Sequence, residues 1–233
     1  MRLVFLDTET TGIEDGRLVE LAFDGPNEDE SWRGYFKPPV PISIEAMSVN
    51  HITEKMVEGA PVFATSNIPE IVRDALDGNV MVAHNAPFDI GVLKREGVEV
   101  GEYIDTKRVA MRLLPDLPSH SLQYLRYALG LEVEAEAHSA AGDVKVLKAV
   151  FGLLLGEAKR QMIVDDDGEA IDWMRKQTHE PVILNLVPLG KHKGKAFEQV
   201  AKEDRGYLEW MMRQDFGEDI KATVGHWLND GKH

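Results

Sequence analysis

The apolar positions of this chain come first in short dense runs and later at wider, helical spacing. Arg2 to Asp7 is rich in Leu, Val and Phe, the texture of a strand buried on both faces. Leu18 to Phe23 and Ser31 to Phe36 read as two further strands. Asp24-Gly25-Pro26-Asn27 between them is a turn signal, so an antiparallel meander is expected to open the fold. The spacing then changes. Ile68 to Leu76 has helical periodicity, Asn79 to Ala83 is a short buried strand, and Pro87 to Glu96 is a helix that Gly97 closes. Tyr103 to Asp105 adds a last short strand. Helical stretches follow at Lys107 to Leu114, Leu122 to Leu129 and Ala140 to Leu155. Meandering strands followed by alternating helix and strand predict an α/β domain with a mixed sheet over residues 1–156. Residues 157–180 are expected as a linker, with a helix over Glu169 to Gln177, and Pro181 marks the start of a small second domain over 181–233. Gly231-Lys232-His233 reads as a frayed tail.

Composition narrows the chemistry. The hydrophobic share of 43% and charged share of 28% are ordinary for a folded chain. No apolar run approaches the roughly 20 residues that span a bilayer. Met1-Arg2 brings charge too early for a signal peptide, so a cytoplasmic protein without membrane partners is expected. The absence of cysteine removes disulfides, thiolate zinc sites and a cysteine nucleophile, which leaves oxygen and imidazole chemistry. A net charge of −14 argues against broad adhesion to nucleic acid. It does not exclude a nuclease, because a carboxylate site is acidic until it takes up metal and a local basic patch can still hold a strand.

Three segments carry candidate chemistry. Asp7 and Glu9 are two apart on a strand, so both side chains leave one face, a metal-ligand geometry that by itself reads equally as a solvated strand end. Thr10-Thr11-Gly12 follows as a tight turn where backbone amides can approach a ligand. The second segment, His84 to Asp89, directly follows a strand, with Asn85 as the expected N-cap, Pro87 in the first turn and Asp89 one turn in. Asp7 and Asp89 thus both sit where ligands bind in such sheets, beyond the C-terminal ends of central strands. Asp89 can also simply complement the helix dipole. The third is His138 to Asp143, where Ser139 is expected to cap a long helix, leaving His138 on the loop before it and Asp143 on its first turn.

Together these segments resemble the three motifs of the DEDDh family of 3′ to 5′ exonucleases, in order, in placement and in flanking residues. The resemblance implies a ribonuclease-H-like fold with a mixed five-stranded sheet flanked by helices. Asn50-His51-Ile52-Thr53 is similar to the family's Val-His-Gly-Ile-Thr-like segment, without its glycine. Gly190 to Phe197 and Asp204 to Trp210 resemble the C-terminal module of the exonuclease X branch, with His192 in place of a tyrosine that would stack on bases and Arg205 in place of proline.

The resemblance assigns Asp7, Glu9, Asp89 and Asp143 as ligands of two Mg²⁺ ions, with Mn²⁺ substituting, and His138 as the base that deprotonates a water. Oxygen ligands suit these hard cations, and like charges crowded into one crevice need them. The same likeness places Thr8, Thr11, Gly12 and Ile13 near the terminal nucleotide, with His51, Asn85 and Phe88 also toward the strand. Phe88 equally reads as core, and Asp105 before Thr106 reads as structural. Lys191, Lys193 and Lys195, among glycines and with no acid from Pro188 to Phe197, read as a phosphate-gripping loop or as a solvated one. Tyr207, Leu208 and Trp210 are expected to pack the small domain. The expected substrate is single-stranded DNA or a DNA 3′ end, in repair or replication. An RNA-trimming enzyme, a polymerase-bound proofreading subunit and a catalytically dead binding module are the alternatives, and a homodimer or a polymerase is the expected protein partner.

Overall fold

Strand β1 (Leu3–Thr10) alternates as its sequence does: Val4, Leu6, Thr8 and Thr10 are buried on one face, while Leu3, Phe5, Asp7 and Glu9 are half-buried on the other. Around it a computed structural model describes residues 2–25, 31–135, 138–162 and 164–230. β2 (Leu18–Asp24) pairs antiparallel with β1, and β3 (Trp32–Tyr35) antiparallel with β2. On the other side β4 (Val80–Ala83) and β5 (Tyr103–Asp105) run parallel to β1, giving the order β3-β2-β1-β4-β5. The mixed five-stranded sheet expected for this fold therefore forms. Pro26 and Asn27 of the expected turn, and the tail residues 231–233, lie outside the described residues.

Helices α1 (Ile44–Asn50) and α2 (Glu54–Val57) follow the meander, and α3 (Ile68–Leu76) and α4 (Pro87–Arg95) flank β4 in sequence. α5 (Thr106–Leu113), α6 (Leu122–Ala128), α7 (Ala140–Met162) and α8 (Asp167–His179) come after β5. Each sheet face has its own cover. Val4 and Leu6 pack with Val72 and Leu76 of α3 and Val92 and Leu93 of α4 in one buried cluster. On the opposite face α7 lies over β1 and β2, with Ala140 and Val144 against Ala22 and with Phe151 edge-on to Phe5 at 5.3 Å. Asp7 and Glu9 share that second face, so they look toward the start of α7.

Within 157–180, α8 supplies the helix expected over Glu169 to Gln177, while α7 runs past Gly156 to Met162, beyond its expected end at Leu155. A glycine inside a helix costs only about 1 kcal/mol. Leu154 and Ala158 on either side of Gly156 are fully buried, which is enough to carry the helix through. The chain divides into two compact units, Met1–Val109 with Ser119–Thr178, and Ala110–Pro118 with His179–His233. In the second, α9 (Phe197–Glu203), α10 (Arg205–Arg213) and α11 (Glu218–Asp230) enclose Val187, Phe197, Val200, Leu208, Met211 and Val224. Tyr207 packs against that core, and Trp210 leans on Tyr207 with ring centroids 5.3 Å apart. No helix among the described residues is long and apolar enough to cross a membrane.

Candidate active site

The C-terminal end of β1 gathers three carboxylates from two elements. One ligand atom each from Asp7, Glu9 and Asp143 lies within 4.8 Å of the others. The two strand residues meet Asp143 because it sits on the first turn of α7, over the same sheet face. Ser139 caps that helix as expected: its Oγ accepts from the Gly142 amide at 3.1 Å. Glu20, directly opposite Glu9 on β2, is buried and accepts from the Ala140 amide at 3.0 Å. It thereby ties the helix start to the sheet, a role the sequence reading missed because donor and acceptor are 120 positions apart.

Asp89 arrives from the other layer. Its Oδ1 accepts from the Thr8 amide at 3.0 Å and the Thr8 hydroxyl at 2.7 Å, and Thr8 points to the face opposite Asp7. Thr8 is therefore buried against Asp89 rather than open to a ligand. Asn85 is not the N-cap of α4; Ala86 holds that position without a side-chain hydrogen bond. Asn85 takes a left-handed conformation (φ 69°) in which its carbonyl accepts from the Phe88 amide and its own amide donates to Asp105. Its side-chain oxygen accepts from Lys107 at 3.3 Å. Asp105 also receives the Lys107 amide at 2.9 Å, the structural part expected of it.

Burial and crowding act together on the carboxylates. Loss of hydration, then the charges of Asp89, Asp143 and Glu9, pushes the Asp7 pKa well above the usual range. Burial followed by Asp143 and Glu20 raises Glu9 to about 8. Asp89 rises to about 7 through burial, opposed by the Thr8 hydrogen bonds. Asp143 is raised by burial and pulled back by His138 and Gln123. A cluster of oxygen donors that resists ionisation on its own fits a hard divalent cation, which offsets the repulsion. His138 is exposed on the loop before α7, in a left-handed conformation (φ 60°), and its backbone hydrogen-bonds Asp143.

Beside Glu9 lies a pocket of about 200 Å³ lined by Gly12, Ile13, Ser43, Val49, Asn50 and Phe88, among others. Ile13 stands 86% exposed at its edge. The loop that carries it is tight: a Cβ on Gly16 would lie 1.9 Å from the Gly12 carbonyl oxygen. Thr11 closes the loop, its amide donating to the Arg17 carbonyl and its hydroxyl accepting from the Arg17 amide at 3.0 Å. His51 is the exposed left-handed cap of α1 and does not line the pocket. Its neighbour Asn50 does, with its amide donating to the Thr10 carbonyl at 3.1 Å.

In the second unit, the lysine loop is less bare than its sequence. Lys191 pairs with Asp204 at 2.8 Å, and Lys195 approaches Glu203 at 3.5 Å. No ion pair forms to Lys193 among the described residues. His192 is buried, bonded to Asp204 at 2.9 Å and edge-on to Tyr207, so it is held as structure. Folding α9 and its cap against the loop supplies acids that lie outside the segment itself.

Residues 4–151 match the family model described as Exonuclease, and residues 190–216 match the one described as Exodeoxyribonuclease X-like C-terminal. Exodeoxyribonuclease 10 of Escherichia coli (strain K12) is 29% identical over 235 residues, covering 98% of this chain and 99% of that protein. DNA polymerase III subunit epsilon of Treponema pallidum (strain Nichols) is 32% identical over 197 residues, covering 77% of this chain and 86% of that one. The solved structure of exonuclease X in complex with 5′ overhanging duplex DNA is similar with a TM-score of 0.61 at 28% identity. It covers 76% of this chain and 99% of that chain.

Proposed function

The chain belongs to the exonuclease family whose model spans residues 4–151, and on that premise we propose that it hydrolyses DNA from 3′ ends, one nucleotide at a time. The observation that carries this reading is the convergence of Asp7, Glu9 and Asp143 beside an apolar pocket at the strand end. Relatives named as an exodeoxyribonuclease and a polymerase III epsilon subunit support DNA as the substrate. The epsilon likeness also keeps a polymerase partner in view. Repair or replication in the cytoplasm is the corresponding setting.

In this reading Asp7, Glu9 and Asp143 hold two Mg²⁺ ions, with Asp89 completing the set from α4. When bound, such ions stabilise charge on the attacking and leaving oxygens of an in-line displacement. The chain's own residues do the rest. Thr8 fixes the Asp89 carboxylate, so its free oxygen has one direction to face. Gly12, Ile13 and Phe88 receive the terminal nucleotide beside Glu9, with the apolar side chains against its base. His138, at the mouth of the site, accepts the proton of the attacking water, and its exposure lets that proton pass on to solvent. In the second unit, Lys193 is the loop lysine left to contact a phosphate.

The domain division follows the same logic: residues 1–156 act as the nuclease and 181–233 as a strand-holding module. Incubation with 3′-labelled and 5′-labelled DNA and RNA, in Mg²⁺ or in EDTA, tests the proposal. Release of mononucleotides first from the 3′ label of DNA, abolished by EDTA, is expected. Preferential loss of RNA, or loss of the 5′ label first, would overturn it.

A further inference from the structure

Resting on the role just given to Asp143, we propose that Gln123 and Arg126 are positioning residues, Arg126 holding the Gln123 amide in the one orientation that directs the Asp143 carboxylate. They lie three apart on α6 and so share a face. The Gln123 amide donates to Asp143 Oδ1 at 2.6 Å. Arg126 Nη1 donates to Gln123 Oε1 at 3.4 Å and to the Ala135 carbonyl at 3.3 Å, and Nη2 donates to the Val133 carbonyl.

The contacts form a circuit. From the Val133 and Ala135 carbonyls it passes through Arg126 and Gln123 to Asp143, which the His138 backbone bonds as well. Only one orientation of the Gln123 amide serves it, NH₂ toward the carboxylate and oxygen toward the guanidinium. Residues 131–135 belong to no helix or strand, so Arg126 supplies restraint that the ladder of a regular element would otherwise give. A guanidinium fork can span two carbonyls and an amide at once; an ammonium cannot. Hydrogen bonds of this kind around a metal-binding carboxylate set its direction, and their loss typically costs about 10- to 100-fold in metal affinity or activity.

The test uses the full chain as Gln123→Met, Arg126→Ala, Arg126→Lys and the double variant Gln123→Met with Arg126→Ala, beside Asp143→Asn. Two quantities are read: kcat and KM on a single-stranded DNA 3′ end, and Mn²⁺ affinity of the substrate-free protein by calorimetry. Each single replacement, Arg126→Lys included, should lower kcat by about 10- to 100-fold with KM little changed, and Gln123→Met should weaken Mn²⁺ binding by about 10-fold. The double variant should be no worse than about the worse single, because both break one circuit. Multiplying defects, full activity in Arg126→Lys, or unchanged kcat and Mn²⁺ affinity in Gln123→Met would each overturn the proposal. Gln123→Met keeps the bulk and helix propensity of the side chain, so the decision stands even where Arg126→Ala does not fold. Retained activity in Asp143→Asn would instead overturn the assignment of the site on which the proposal rests.

Discussion

At Asp7 the proposed site sets two demands against each other: a cation ligand must be ionised, yet burial and four neighbouring carboxylates resist ionisation. Its folded pKa lies above its unfolded one, so the metal-free protein is penalised once pH rises past the usual carboxylate range. Asp7→Asn should therefore abolish turnover while raising the melting temperature of the metal-free protein. The gain should vanish near pH 4 and grow as pH rises above the usual carboxylate range, at about 2–4 °C for each kcal/mol of repulsion removed. A melting temperature below wild type at pH 8 in EDTA would contradict it. His138→Gln should slow hydrolysis by roughly 10²- to 10⁴-fold with strand affinity intact, as loss of a general base does. Strand affinity that fell in parallel would make His138 a binding residue instead. The two-residue spacing of Asp7 and Glu9 was legible because strand alternation alone puts them on one face. Glu20, Gln123 and Arg126 were not, because each earns its place through a partner distant in sequence or through loop carbonyls that no motif encodes.

At the scale of elements, the His84 imidazole ties the end of β4 to the segment before α6. His84 Nε2 donates to the His120 carbonyl at 2.8 Å, which leaves Nδ1 to accept from the Thr106 hydroxyl at 2.9 Å. Burial lowers its pKa to about 4, so the folded form keeps it neutral while the unfolded chain protonates it near 6.5. The stability it contributes is present above pH 6.5 and is lost as pH falls toward 4, by up to about 3 kcal/mol. His84→Gln should flatten that part of the stability-against-pH curve measured by urea unfolding. A slope equal to wild type between pH 6.5 and 4 would assign it to other groups. Element legibility followed length and periodicity. The strands and α3 stood out, whereas α1, with 7 residues, spans less than two turns and depends on Ser43 accepting from the Ala46 amide at 3.0 Å. Helices α9 and α10 of the second unit were missed for a related reason: they have 7 and 9 residues, and their apolar faces make sense only against the rest of that unit's core.

For the molecule as a whole, a net charge of −14 means that strand binding rests on few cations. Lys191 and Lys195 already face acids, an arrangement the local sequence hid because Glu203 and Asp204 lie beyond the lysine segment. Lys193→Ala should therefore reduce the slope of log K against log salt for single-stranded DNA by about 0.7, one phosphate's worth, and replacing all three lysines should reduce it little further. A loss of roughly 2 in the triple variant would mean that the acids release their partners on binding. The order of the carboxylates along the chain has a consequence of another kind. Asp7 and Glu9 are made first and Asp89 midway, but Asp143 arrives only with α7, after the whole sheet. A ribosome thus exposes the sheet of this nuclease well before its last acidic group, and a nascent or prematurely terminated chain lacking α7 carries an incomplete site. On the proposed assignment, hydrolysis is expected to begin only once synthesis has passed that helix.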